Sequence, residues 1–98
     1  MATLRLSTHA FVDLQRIADF LIEHESTRAL QVIQRIRQAI LILENHPLIG
    51  RAVADGRREL VISHGRNTYL ALYRWLPVDE TVLLLAIRDA REVGYQQE

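Results

Sequence analysis

TVLLLAIRDAREVGY, residues 81–95, is the stretch of sequence that decides the fold. It opens with an unbroken apolar run, residues 82–87, and continues with alternating charge over residues 88–92. An apolar run of this length is typical of a strand buried on both faces, because a half-exposed strand alternates apolar and polar residues. The sequence therefore predicts a core built on this strand, with the function at its charged end.

The composition excludes several classes of site. The chain has 98 residues, which predicts one domain spanning residues 1–98. It contains no cysteine, and all 12 basic residues are arginine, so disulfide, thiolate and lysine chemistry are excluded. The 12 acidic residues balance them, so no bulk attraction to nucleic acid is expected. No segment reaches the roughly 18 apolar residues of a membrane span, which predicts a soluble, cytoplasmic protein.

The first half of the chain predicts a strand and two helices. Residues 3–6 alternate as a strand does, and Ser7 or Thr8 offers a cap for a helix over residues 8–24. Apolar residues recur there at helical spacing, and Asp13 is expected on the wetter side with Arg16. Ser26 is expected to cap a second helix, which the sequence Asn45-His46-Pro47 ends. Because almost no linker separates the helices, they must form an antiparallel hairpin.

The second half predicts an antiparallel meander. Strands over residues 58–63 and 68–75 flank a glycine-containing turn, and a further turn leads into the strand that begins at Thr81. The predicted fold is α+β, in the order β-α-α-β-β-β, with the three-stranded meander packed under the helices. Within residues 68–75, the face of Leu70 and Leu72 is expected to meet the helices, leaving the tyrosine face open.

The chemistry-bearing residues favour binding over a metal or hydrolytic site. The four histidines are scattered without ligand spacing, and the glycines are isolated, so neither a metal nor a cofactor is expected. Arginines and aromatic residues interleave in the second half, as on surfaces that bind nucleic acid or protein. The alternative is structural: the tyrosines cap the sheet, and Arg58–Glu59 and Arg91–Glu92 form ordinary ion pairs. The sequence leaves both interpretations open.

Six short motifs, in order, resemble toxins of the RelE/ParE superfamily of bacterial toxin–antitoxin modules, and together they cover nearly the whole chain. They are Ala10-x-x-Asp13-Leu14-x-x-Ile17, Pro47-x-x-Gly50-Arg51, Arg58-Glu59-Leu60-Val61, Tyr69-x-x-x-Tyr73-Arg74, Leu85-Ala86-Ile87-Arg88 and Arg91-Glu92-x-Gly94-Tyr95. The resemblance implies a cognate antitoxin, a small DNA-binding protein whose flexible segment wraps the toxin. Operator DNA would be contacted only through that antitoxin, and no membrane is involved.

The superfamily has two branches, and the sequence favours one. The RelE-like branch cleaves mRNA on the ribosome, whereas the ParE-like branch is associated with poisoning DNA gyrase. RelE-like toxins carry lysines on the strand that corresponds to residues 58–63 and an arginine where this chain has Leu70. Loss of two cationic groups would weaken the electrostatic stabilisation of a phosphoryl transition state by several kcal/mol. The RelE-like ribonuclease is therefore disfavoured. Two features also depart from the ParE-like pattern: the neutral net charge, and Asp89 at a position where relatives commonly have histidine.

The sequence therefore predicts a ParE-like toxin that inhibits gyrase by binding and is neutralised by its antitoxin. The predicted target-binding surface comprises Arg58, Tyr69, Tyr73, Arg74, Arg88, Arg91 and Tyr95. One alternative is a ribosome-dependent mRNA endoribonuclease that uses Arg88, Arg91 and Tyr95. Another is a non-toxic interaction module of an antitoxin complex.

The second helix also carries more apolar residues than one buried stripe needs. The residues left over are Leu30, Val32 and Ile42. Leftover apolar residues are typical of interfaces. The antitoxin is therefore expected to lie, as a helix or a strand, over the helical hairpin and the neighbouring sheet edge.

Overall fold

Two helices lie on one face of a five-stranded sheet in the computed structural model, which describes residues 1–95. The elements in order are β1 (Thr3–Leu6), α1 (Thr8–His24), α2 (Ser26–Ile42), β2 (Arg51–Ala52), β3 (Arg58–His64), β4 (Asn67–Leu76) and β5 (Thr81–Asp89). Single 3₁₀ turns cover Ala54–Gly56 and Pro77–Asp79. The predicted α+β class and the β-α-α-β-β-β order are confirmed, with β2 as a short addition that the sequence pattern did not reveal.

The helix ends follow from local hydrogen bonding. Ser7 caps α1, because its hydroxyl accepts a hydrogen bond from the Ala10 amide at 3.0 Å. Ser26 does not cap α2, contrary to the prediction. It is already the first helical residue, and Glu25 takes the cap position without a side-chain hydrogen bond. Only Glu25 therefore separates the end of α1 from the start of α2.

The sheet is mixed rather than purely antiparallel. Its strand order is β1-β5-β4-β3-β2, and β1 runs parallel to β5 while all other neighbours are antiparallel. The predicted meander of β3, β4 and β5 is confirmed. The strand β5 lies between β1 and β4, and its helix-facing residues Val82 and Leu84 are fully buried, whereas Leu83 and Leu85 on the other face are partly exposed. The expectation that both faces are fully buried thus holds for one face only.

A β-bulge in β5 determines which side chains reach the outer face, the one without helices. Leu72 pairs with Ala86 but Tyr73 pairs with Leu84, so Leu85 is an extra residue in β5. An extra residue shifts the alternation of side chains by one position. Leu84 and Ile87 therefore both join the helix-side core, and Arg88 lies on the outer face. With regular alternation from Leu84, Arg88 would face the helices.

Asp13 supports the irregular strand from the helix side. It is 2% exposed, which corrects its predicted place on the wetter side of α1. Its Oδ2 accepts a hydrogen bond from the Ile87 amide at 2.9 Å, beyond the point where β1 ends and can no longer pair with β5. A carboxylate is tolerated there because it satisfies a backbone donor that would otherwise be buried without a partner.

The faces of β4 are the reverse of the prediction. Tyr69 and Tyr73 are 2% and 0% exposed and belong to the core beneath the helices, whereas Leu70 and Leu72 lie on the outer face. Burial is possible because both phenols have polar partners. The Tyr73 hydroxyl donates to the Pro47 carbonyl at 2.8 Å and accepts from the Gly50 amide at 2.9 Å. The Tyr69 oxygen accepts from Asn67 at 3.0 Å.

Candidate functional site

Four polar side chains meet on the outer face of the sheet, and we call them the outer-face cluster: Arg51, Glu59, Arg88 and Tyr95. The Tyr95 hydroxyl donates to Glu59 Oε2 at 2.6 Å, and Arg51 Nε donates to Glu59 Oε1 at 3.0 Å. The Arg88 guanidinium lies over the Tyr95 ring, 5.1 Å from its centroid. Strand pairing of Arg51 with Glu59 and the bulge before Arg88 bring these groups to one face. The chain thus folds back on itself at Tyr95 to cover the sheet.

The electrostatics of the outer-face cluster fix its protonation. Burial alone would raise the pKa of Glu59, but hydrogen bonds from Tyr95 and Arg51 and the charges of Arg51 and Arg88 outweigh it, so this pKa lies below its ordinary value. Burial raises the pKa of Tyr95, and the bond to the Glu59 carboxylate raises it further. At neutral pH the phenol is therefore protonated and donates to an ionised carboxylate. Such a phenol is a poor general base.

Arg91 is not part of the outer-face cluster. Its guanidinium pairs with the Asp89 carboxylate at 2.7 Å, and the hydrogen bonds from Arg91 hold the pKa of Asp89 below its usual range. The two residues border a cleft of about 460 Å³ on the helix side, beside Phe20 and Tyr69. Of the three predicted ribonuclease residues, the structure brings Arg88 and Tyr95 together and leaves Arg91 elsewhere. They do not converge on one reacting atom.

The other members of the predicted target-binding surface differ in accessibility. Tyr69 and Tyr73 are buried in the core, and of the two only Tyr69 borders the cleft beside Arg91. Arg74 is partly exposed and pairs with Leu83 across the outer face. Arg58 donates to the Gly50 carbonyl at 2.7 Å and thereby holds the loop after α2. The accessible part of the predicted surface is therefore arginine-rich, with Tyr95 as its aromatic member.

Glu59 and Arg51 are the two members of the outer-face cluster that the sequence analysis did not predict. The sequence interpretation paired Glu59 with Arg58 and Glu92 with Arg91, but the structure pairs them with Arg51 and Arg16 instead. Neighbouring residues of a strand point to opposite faces, so Arg58 and Glu59 could not have met on one face. That alternation was a usable signal. The partner Arg51, by contrast, is defined only by the pairing of β2 with β3.

An apolar groove opens between the two helices and the edge strand β1. Its volume is about 430 Å³. Its walls are Leu4 and Leu6 of β1, Phe11, Leu14, Gln15, Ile17 and Ala18 of α1, and Ile33, Ile36, Arg37, Ile40 and Leu41 of α2. Phe11 and Leu6 remain exposed on its rim. An exposed apolar groove rimmed by polar side chains is typical of a protein-binding site.

The three residues predicted to bind the antitoxin separate in the structure. Val32 is fully buried in the core, so its expected exposure is wrong; it belongs to the stripe that α2 presents to the sheet. Leu30 is 67% exposed. It lies in the same row along α2 as the groove residues Ile33, Arg37 and Leu41, which follow it by three, seven and eleven residues. Ile42, 44% exposed, follows Leu41 and therefore points to another side of the helix.

The described part of the chain holds neither a metal-binding cluster nor a membrane-spanning helix. Within residues 1–95, no group of three or more histidine, cysteine, aspartate or glutamate side chains could hold a metal ion. Neither α1 nor α2, the two helices longer than a single turn in that range, is long and apolar enough to cross a lipid bilayer.

Comparison with known proteins gives a consistent result. The model of a family described as the ParE toxin of the type II toxin–antitoxin system parDE matches residues 4–94. A structure described as the chromosomal ParDE system of P. aeruginosa is similar with a TM-score of 0.73 and 22% identity, over 91% of this chain and 96% of that one. The intact E. coli RelBE complex is similar with a TM-score of 0.69 and 9% identity, over 94% and 100%. A comparison with curated proteins found no similar sequence.

Proposed function

Because this chain belongs to the ParE toxin family of type II toxin–antitoxin systems, we propose that it inhibits DNA gyrase in the cytoplasm by binding, and that a cognate antitoxin neutralises it. The observation that carries the binding mode is the separation of the polar groups. Arg88 and Tyr95 lie on the outer face, while Arg91 is neutralised by Asp89 beside α1. A ribonuclease centre would need these groups around one phosphate.

The outer-face cluster supports recognition of a protein partner. Tyr95 is a rigid aromatic side chain held by Glu59, and Arg88 and Arg51 place two guanidinium groups next to it. Tyrosine and arginine are enriched among the residues that dominate interface energies. Because Glu59 neutralises only one of the two positive charges, the cluster favours an acidic patch on the target.

An assay of supercoiling tests this function. The purified protein, prepared without its antitoxin, is expected to inhibit gyrase, and Arg88→Ala is expected to weaken inhibition about 10–100-fold, the loss typical of a central interface residue. Arg66→Ala, at an exposed arginine in the turn between β3 and β4, is the matched control and should leave inhibition unchanged. Unaffected gyrase, together with site-specific mRNA cuts in a translating extract, would instead support the endoribonuclease.

We propose that the antitoxin binds in the groove between β1, α1 and α2. The strand β1 is the edge of the sheet, so its outward backbone groups are available to pair with an added strand, while the groove accepts apolar side chains. The one charged residue that lines the groove within the described part of the chain is Arg37, which favours a carboxylate on the partner. An apolar segment with an acidic residue beside it fits this surface.

Two neighbouring residues of α2 test the groove. Leu41→Glu is expected to weaken antitoxin affinity about 100-fold, because it places a charge among apolar contacts. Ile42→Glu changes the adjacent residue on another side of the helix and should change the affinity less than about threefold. Isothermal titration with the purified antitoxin measures both, and Leu30→Glu shows how far the site extends along α2. Equal losses of antitoxin affinity in the Leu41→Glu and Ile42→Glu variants would contradict the groove as the binding site.

A further inference from the structure

The segment after β5, residues 90–95, is attached to the rest of the protein on both faces of the sheet. On the outer face, Tyr95 donates to Glu59. On the helix side, Glu92 Oε1 pairs with Arg16 Nη1 of α1 at 2.7 Å. Between these two points Val93 is fully exposed, and a Cβ added to Gly94 would meet nothing within 4 Å. These two side-chain contacts add to the backbone hydrogen bonds of Ala90 with Thr68 and of Glu92 with Asp89 in fixing the position of the segment.

Glu92 links the helix side to the outer-face cluster. Its side chain binds Arg16, and its backbone carbonyl accepts a hydrogen bond from Arg88 Nη1 at 2.7 Å. The same Arg88 guanidinium lies over the Tyr95 ring. A displacement of Glu92 would therefore remove one hydrogen bond of Arg88 and move the chain that carries Tyr95.

Arg16 is itself held in place. It projects from α1, which packs along β5, and its Nη2 lies 3.7 Å from the buried carboxylate of Asp13. The Arg16 and Glu92 side chains are 37% and 24% exposed, and Arg16 Nη2 and Glu92 Oε2 are shielded from solvent. The pair is thus screened less than a surface ion pair. It joins residues 90–95 to helix α1.

We propose that Arg16 and Glu92 are positioning residues of the recognition surface: their ion pair holds residues 90–95 so that Tyr95 and Arg88 stand ready on the outer face. This inference rests on the proposed function for its biological meaning. The pair lies on the helix side of the sheet, and Glu92 reaches the outer-face cluster through its backbone carbonyl, which accepts from Arg88. Its role is to order that cluster before a partner arrives, which lowers the entropic cost of binding.

The chain contains three tyrosines, and NMR of the protein with ring-labelled tyrosine tests the proposal directly. Arg16→Met and Glu92→Gln are each expected to move the Tyr95 signal toward its random-coil position, with the detached form about tenfold more populated, as for the loss of a partly buried ion pair. Tyr73, fully buried in the core, is the internal control that reports whether each variant remains folded. Tyr69 borders the same cleft as Arg16 and Glu92, so its signal is expected to shift as well.

Arg35→Met is the matched control for removal of a helix arginine. Arg35 lies on α2 and donates to the Ser63 carbonyl, so its loss should leave Tyr95 in place. An unchanged Tyr95 signal in both Arg16→Met and Glu92→Gln would overturn the proposal. So would a detached Tyr95 with undiminished gyrase inhibition, because positioning would then be irrelevant to recognition. Failure of the unmodified protein to inhibit gyrase would refute the proposed function instead, and the NMR comparison would still decide whether the pair holds Tyr95.

Discussion

Replacing Gly50 by alanine is expected to lower the free energy of unfolding by about 2–4 kcal/mol, the sum typical of overpacking and of a disturbed buried hydrogen bond. A Cβ at this position would lie 2.7 Å from both Cε1 and the hydroxyl of Tyr73, and 3.0 Å from the Glu59 carbonyl. The Tyr73 ring is fully buried and cannot move away cheaply. It would have to give up its bonds to Gly50 and Pro47, which fix the loop after α2.

Thermal unfolding followed by circular dichroism measures this effect. For a domain of this size, each kcal/mol corresponds to about 4–8 °C in Tm. Gly65→Ala provides the control, since Gly65 has φ +58° and a Cβ there would meet only the flexible end of Arg28, at 3.4 Å. Its cost should be about 1 kcal/mol, from backbone conformation alone. If Gly50→Ala is no more destabilising than Gly65→Ala, the contact with Tyr73 does not limit this site.

Replacing Asp13 by alanine is expected to lower the free energy of unfolding by about 3 kcal/mol, because a buried backbone donor loses its partner and a void remains. The donor is the Ile87 amide, directly beyond the bulge in β5. The same carboxylate also lies 3.7 Å from Arg16. The loss should therefore affect the strand that carries Arg88 as well as overall stability.

Urea titration of Asp13→Ala, Asp13→Asn and Asp19→Ala separates the contribution of the hydrogen bond to Ile87 from the effect of removing an acidic side chain from α1. Asparagine retains an oxygen that can accept from Ile87 and should cost only about 1 kcal/mol. Asp19 is an exposed acid on the same helix, and its replacement should stay within about 0.5 kcal/mol. Similar stabilities of Asp13→Ala and Asp19→Ala would show that the hydrogen bond to Ile87 is dispensable.

The elements were readable from the sequence because their signals are local. The bounds of α1, residues 8–24, came from a capping hydroxyl followed by apolar residues at helical spacing, and the structure has the same bounds. The strand that begins at Thr81 and the meander that contains it came from apolar runs between turn residues. Asp13 was misplaced because a helical pattern ranks side chains by polarity. It cannot reveal that a strand amide will need a carboxylate inside the core.

The candidate site was readable only in part. Its residue types, arginine and tyrosine near the C-terminal end, followed from the sequence. Their grouping did not, because the bulge at Leu85 changes the face of every later residue in β5 and leaves no mark in the apolar run. Glu59 pairs with Arg51, which lies 8 residues away, and Glu92 pairs with Arg16, which lies 76 residues away. Neither pair could therefore be recognised from neighbouring positions.

By itself, the sequence determined the order and type of the elements apart from β2, the helical hairpin and the resemblance that the family match bears out. Tertiary structure alone decided which face of each strand meets the helices. On β4 both faces are apolar, so alternation defines two faces without ranking them. The choice went to Tyr69 and Tyr73, because their hydroxyls reach Asn67, Pro47 and Gly50. The outer face therefore carries Arg88 and Tyr95 instead.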